Sequence, residues 1–108
     1  MTSPDSTWLA ERTPPAPRAL LARMQHALAG SPHAADRATR LGNAALACLR
    51  EALPKGRDRS AALPLLAADA LLTYACEAAA EEGIDALSRV CTSYDAQRMA
   101  ELLGTPAS

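Results

Sequence analysis

The residues best suited to bind a ligand are four cations around a turn that contains proline and glycine. Lys55, Arg57 and Arg59 lie in this turn, and Arg50 lies one helical turn before it. The turn precedes a predicted helix, whose first backbone N–H groups are free to bind a phosphate or carboxylate together with the cations. No glycine-rich nucleotide-binding motif accompanies them. The alternative is therefore a solvated turn whose charges stabilise the end of the preceding helix.

Histidines and cysteines are too few and too widely spaced to predict metal or nucleophilic chemistry. His26 and His33 form no H-x-x-x-H or E-x-x-H pattern, and Cys48, Cys76 and Cys91 form no C-x-x-C pattern. A nucleophile needs a base within hydrogen-bond reach, and a structural zinc ion needs four ligands. We therefore expect a non-enzymatic protein with no catalytic residue, metal or cofactor. Three cysteines fit small buried side chains in a reducing compartment.

Composition predicts an all-α fold. The chain has 108 residues, of which 26 are alanine and 16 leucine, with one isoleucine, one valine and no phenylalanine. The β-branched and aromatic residues that favour strands are almost absent, and the two most frequent residues are strong helix formers. Proline, glycine and apolar periodicity then predict five helices, over residues 17–29, 32–53, 64–82, 84–91 and 94–103, the last of them capped by Ser93. This is a small helical bundle of four or five helices.

The predicted organisation is one helical domain with short flexible ends. Residues 1–16 are rich in serine, threonine and proline, which predicts a flexible N-terminal arm. Residues 17–103 form the domain, and residues 104–108 are expected to fray. Trp8, the only tryptophan, either folds back on the bundle or docks on a partner.

The two longest predicted helices should form the centre of the bundle as an antiparallel hairpin, because their connection is short. Leu65 and Leu72 are expected on the inward face of the second helix. The same register pairs basic residues of the first helix with acidic residues of the second, namely Arg37 and Arg40 with Glu77 and Glu81. An antiparallel homodimer offers the same complementarity between two copies.

Charge is unevenly distributed along the chain. Residues 12–59 carry a balance of +6 and residues 60–108 a balance of −5, while the whole chain has a net charge of −1. Nucleic acid is therefore not an expected partner of the molecule as a whole. No signal peptide and no apolar stretch of membrane-spanning length is evident, so we expect a cytoplasmic protein without a membrane partner.

A shortage of large apolar residues predicts self-association. Leucine, isoleucine, valine, methionine and tryptophan together number only 22, which is thin against a backbone entropy cost of about 1–2 kcal/mol per residue. Small residues four apart, Ala34, Ala38 and Gly42, form a groove where another backbone could approach closely. We predict a helical interaction module, a homodimer or a binder of a protein partner, which uses this groove or Trp8 and Leu9. The alternative is an accessory protein that binds an anionic ligand at residues 55–59.

Overall fold

A computed structural model of the chain describes residues 3–31 and 34–104. Within these residues every regular element is helical and no strand is present, which confirms the all-α prediction. The α-helices are α1 (Pro4–Ala10), α2 (Arg18–Gly30), α3 (Arg37–Ala52), α4 (Ala62–Glu82), α5 (Ile84–Ser93) and α6 (Ala96–Leu102). Two short 3-10 turns, Leu53–Lys55 and Arg59–Ala61, connect α3 to α4.

Carboxylate caps determine where α3 and α6 begin. Asp36 accepts a hydrogen bond from the backbone N–H three residues later at 3.0 Å, and Asp95 does the same at 2.8 Å. Such caps satisfy backbone donors that have no partner inside the helix. The helix that corresponds to α3 was predicted to begin near Pro32, but residues 34–36 are not helical and α3 begins at Arg37, while residues 32 and 33 lie outside the described ranges. Ser93 was predicted to cap the last helix, but it ends α5, and the cap of α6 is Asp95, two residues later.

The N-terminal segment contains a docked helix where a flexible arm was expected. Pro4–Ala10 form α1, and the Ser3 hydroxyl accepts a hydrogen bond from the backbone N–H three residues later at 3.2 Å. The side chains of Trp8 and Leu9 are only 7% and 2% exposed and belong to the hydrophobic core. The tryptophan thus folds back on the bundle, and α1 supplies two of the few large core side chains.

The core is built largely from alanine where α3 meets α4. These two helices share the most extensive helix–helix contact in the described residues. Ten of the seventeen residues in the buried core cluster are alanine. Small side chains let the helix backbones approach closely, but each of them removes little apolar surface from water. The largest fully buried side chains are therefore few: Leu9, Met24, Leu41, Leu71 and Cys48.

Gly42 provides a close approach on α3, although to a side chain rather than to a helix backbone. A Cβ atom added at Gly42 would overlap the phenol ring of Tyr94, which follows α5. Ala38, one turn earlier, is 2% exposed and lines a shallow cleft with residues of α5. The small-residue groove predicted on this helix is therefore partly filled from within the same chain.

The helical segment from Arg59 to Glu82 is long and apolar enough to cross a membrane by length and composition alone, because an 18-residue window within it has a mean hydropathy of 1.3. The prediction that no apolar stretch has membrane-spanning length is therefore wrong. The segment includes α4, which packs against α3 through a buried face of alanines and Leu71. A core helix passes the same test of length and composition.

The contact between Gly42 and Tyr94 predicts that the effect of Gly42→Ala on the free energy of unfolding depends on the residue at position 94. Alanine is favoured over glycine in a helix interior by about 0.8–1 kcal/mol. In a Tyr94→Ala background, Gly42→Ala should therefore raise the free energy of unfolding by about 1 kcal/mol. In the wild-type background the displaced phenol ring should cancel or reverse this gain. Urea unfolding of the four proteins measures the coupling, and a full 1 kcal/mol gain in both backgrounds would show that the close contact is absent.

Candidate functional site

A buried carboxylate holds α1 against the start of α3. Asp5 is 8% exposed, and its side chain accepts hydrogen bonds from Arg37 Nε at 2.9 Å and from Arg40 Nε at 2.5 Å. Arg40 Nη2 donates a further hydrogen bond to Asp5 at 3.0 Å. Both carboxylate oxygens are therefore engaged by cationic donors, which are the stronger class of hydrogen bond.

The charges at this contact are mutually stabilised. The hydrogen bond from Arg40 holds the pKa of Asp5 below its ordinary value, against the opposing effect of burial, and Arg37 lowers it further. The same hydrogen bond raises the pKa of Arg40. Asp5 is thus an ionised acceptor at neutral pH, suited to fixing a helix and not to donating a proton.

Trp8 lies between two of the cations around α1. The guanidinium carbon of Arg12 is 3.9 Å from the centroid of the indole ring, and that of Arg37 is 5.3 Å from it. Tyr74 of α4 meets the indole edge to face, with ring centroids 6.2 Å apart. Cation–π and edge-to-face contacts of this kind each stabilise a structure by about 0.5–1.5 kcal/mol. We call Asp5, Trp8, Arg12, Arg37 and Arg40 the N-terminal clasp.

The predicted pairing of Arg37 and Arg40 with the acids of α4 is wrong. Both arginines bind Asp5, and Glu81 instead pairs with Arg12, whose Nη1 lies 3.2 Å from Glu81 Oε1. Within residues 3–31 and 34–104, Glu77 has no cationic partner within 4.0 Å. The physical reason is that α1 brings its own carboxylate, Asp5, within hydrogen-bond distance of the two arginines.

The residues predicted to contact a partner lie mostly inside the chain. Trp8 and Leu9 are in the core, Ala38 and Gly42 are buried, and Ala34 is half-buried. The carbonyl of Ala34 accepts a hydrogen bond from Arg40 Nη1 at 2.8 Å. These residues therefore pack within the chain. They do not form a free docking groove.

The four cations of the predicted anion site do not all point to one ligand position. Arg50 Nη2 donates a hydrogen bond to the Leu102 carbonyl at 2.9 Å, and Lys55 Nζ lies 3.7 Å from a carboxylate oxygen of Glu51. Arg57 and Arg59 are exposed in the turn. Two of the four cations thus have partners inside the chain, and the other two remain available at the surface.

Only one of the three cysteines is the small buried side chain that was expected. Cys48 is fully buried, Cys76 is half-buried and Cys91 is exposed, and none is in a disulfide. Burial raises the pKa of both Cys48 and Cys76, which disfavours their reactive thiolate forms. In the described part of the chain, no three His, Cys, Asp or Glu side chains are grouped closely enough to hold a metal ion.

The surface feature that sequence reasoning missed is a set of exposed leucines around the start of α4, of which Leu63 and Leu66 share one side of the helix. Its members are leucines that are 38–57% exposed: Leu53, Leu63, Leu65 and Leu66. Leu65 was expected to face inward, and this expectation is wrong. Because α4 is rich in leucine and alanine on every side, apolar periodicity gives little information about which side is buried. We call these four leucines the leucine patch.

Comparison with known proteins finds no match to a protein-family model, a curated protein or a solved structure. The N-terminal clasp and the leucine patch are thus the two features from which a function can be argued. The clasp is internal and fixes α1. The patch faces outward and is available to a partner.

Replacing Asp5 by asparagine tests the clasp. The uncharged amide cannot satisfy both arginines, and hydrogen bonds to charged groups contribute about 1.5–3 kcal/mol each, so we expect Asp5→Asn to lower the free energy of unfolding by about 2–3 kcal/mol at pH 7. Trp8 emission should shift to the red as α1 loosens. Asp69→Asn, at an exposed position on α4, is the matched control and should change neither property.

The pH dependence of the Asp5→Asn effect follows from the lowered pKa of Asp5. A carboxyl group whose folded pKa lies below its unfolded value stabilises the fold above that value, 3.8, and loses its contribution as pH falls through the folded pKa. The stability difference between wild type and Asp5→Asn should therefore be constant from pH 5 to 7 and shrink below about pH 4. A difference that persists unchanged at pH 2 would contradict the ionised state of Asp5.

Proposed function

We propose that the protein is a non-enzymatic helical interaction module that self-associates. The leucine patch is the observation that carries this proposal. Four leucines around the start of α4 expose 38–57% of their surface, although the core lacks large side chains. Two of them, Leu63 and Leu66, are three residues apart and therefore lie side by side on one face of α4. An apolar group of this kind on the outside of a small domain is typical of an interaction surface.

The energetics of the patch favour a weak and reversible association. Complete burial of a leucine stabilises by about 1.5–3 kcal/mol, so burying the exposed half of Leu63 and Leu66 in both copies, four leucines in all, yields roughly 3–6 kcal/mol. Dissociation constants of 1 mM and 1 μM correspond to about 4 and 8 kcal/mol. The patch alone therefore supports association near the millimolar range, and a tighter dimer requires further contacts.

Self-association also compensates for the alanine-rich interior. A chain of this length buries a limited share of its surface, and ten alanines in the core reduce the stabilisation from each buried position. A second copy that covers the leucine patch removes more apolar surface from water. Its stabilising effect grows with protein concentration by mass action.

Sedimentation equilibrium from 5 to 500 μM tests the proposal. The weight-average mass should rise above the monomer value of 11.3 kDa with increasing concentration. Leu63→Gln/Leu66→Gln should shift this rise to at least about tenfold higher concentration, because two central leucines of the patch lose their apolar surface. The control is Ala19→Gln/Ala22→Gln, which places two glutamines at the same spacing on the exposed side of α2.

A wild-type mass that stays at the monomer value throughout this range would contradict the proposal. Equal effects of the α2 and α4 double variants would also contradict it, since the leucine patch would then not be the surface that associates. An apolar patch beside cations could also bind a membrane surface. Flotation with anionic vesicles distinguishes this explanation from self-association. Binding of a strictly monomeric protein to such vesicles would assign the patch to a membrane surface.

A further inference from the structure

The charges at the two ends of α4 oppose its macrodipole. The first turn of α4 contains no acid and its last turn contains no base. Arg57 and Arg59 precede the helix, and Glu77, Glu81 and Glu82 lie near its end. A helix is stabilised by anions at its N-terminus and by cations at its C-terminus, so this arrangement is unfavourable for an isolated α4.

The same charges have few partners inside the chain. Glu81 pairs with Arg12, but Arg57, Arg59, Glu77 and Glu82 form no ion pair within 4.0 Å in the part of the chain that the structure describes. All four of these residues are exposed. A cationic end and an anionic end of one helix are therefore both available to another molecule.

The outward face of α4 connects these two ends. Successive residues of a helix are rotated by about 100°, which aligns Leu66, Thr73, Glu77 and Ala80 along one side. Each of these residues is exposed, whereas Leu71 and Ala75 on the opposite side are fully buried. With 21 residues and a rise of about 1.5 Å per residue, α4 is about 30 Å long.

We propose that two copies of the chain pair through these outward faces of α4, antiparallel and related by a two-fold axis. This inference rests on the self-association proposed above and assigns its geometry. In this arrangement Arg57 and Arg59 of each copy lie beside Glu77 of the other, whereas Glu82 lies on the side of α4 that faces the cleft lined by α3 and α5. The two helix dipoles also run in opposite directions, which relieves at both ends the unfavourable charge placement of a single α4.

The middle of the face suits a close but weak contact. Beyond Leu66, the outward side chains of α4 are small at Thr73 and Ala80, so the two helices can approach closely. Asp69 also lies on the exposed side, near the middle of the helix, where it meets its own copy across the axis. This like-charge contact opposes association, while exposed opposite-charge pairs contribute only about 0.2–1 kcal/mol each. The complementary ends therefore determine orientation more than affinity.

Charge reversal at each end tests the arrangement directly. One variant carries Arg57→Glu/Arg59→Glu and the other carries Glu77→Lys. Alone, each variant faces like charges at both ends of the pair, so its dissociation constant should rise at least about tenfold, which is 1.4 kcal/mol. An equimolar mixture of the two variants restores opposite charges at both ends and should associate within about threefold of wild type.

Two controls keep the result specific to this face. Arg18→Glu/Arg98→Glu changes the net charge by the same amount as the basic-end variant, at exposed positions on α2 and α6, and should leave the dissociation constant unchanged. Far-ultraviolet circular dichroism and Trp8 emission should match wild type in all variants. The reversals place acids before the start of α4 and a base near its end, which favours its macrodipole, so they are expected to preserve the fold.

The outcomes separate this inference from the proposed function. If wild type associates but the two reversed variants associate equally well, the antiparallel pairing is wrong and self-association stands. Weakened variants whose mixture is not restored would also overturn the pairing. If wild type is monomeric up to 500 μM, both proposals fail, whether or not the monomer binds anionic vesicles.

Discussion

The contact of Asp5 with Arg37 and Arg40 fixes α1 to the start of α3, and the completeness of the core depends on it. The interior between α3 and α4 is largely alanine, so Trp8 and Leu9 from α1 supply a considerable part of the large buried surface. A helix of seven residues does not form stably alone in water. It is held by its carboxylate contact and by an indole ring enclosed by Arg12, Arg37 and Tyr74.

The same alanine-rich interior explains the character of the surface. Because α4 buries its alanines and Leu71 against the rest of the bundle, Leu63, Leu65 and Leu66 remain on its other sides. Close helix packing and an apolar exterior are thus two consequences of one distribution of residues along α4. The proposed self-association uses this exterior, and the charges at the ends of α4 give it an orientation.

The sequence was informative about elements and poorly informative about long-range partners. The ends of α2 and α4 were predicted within a residue or two, because Gly30 and Gly83 mark them locally. The clasp could not be predicted, since Asp5 finds its partners 32 and 35 residues away and no periodic pattern marks a seven-residue helix. The leucine patch was missed because apolar residues surround α4, so the exposure of Leu65 depends on where the other helices pack.

The central claim is that α1 belongs to the cooperative core, and Trp8, the only tryptophan, reports on it directly. Urea unfolding of the wild-type chain should be followed by Trp8 emission and by circular dichroism at 222 nm in the same samples. We expect the two transitions to coincide in midpoint and slope, as they do when one cooperative unit unfolds. A Trp8 transition that is complete at a lower urea concentration, while the helical signal persists, would show that α1 is an appendage and would contradict the account.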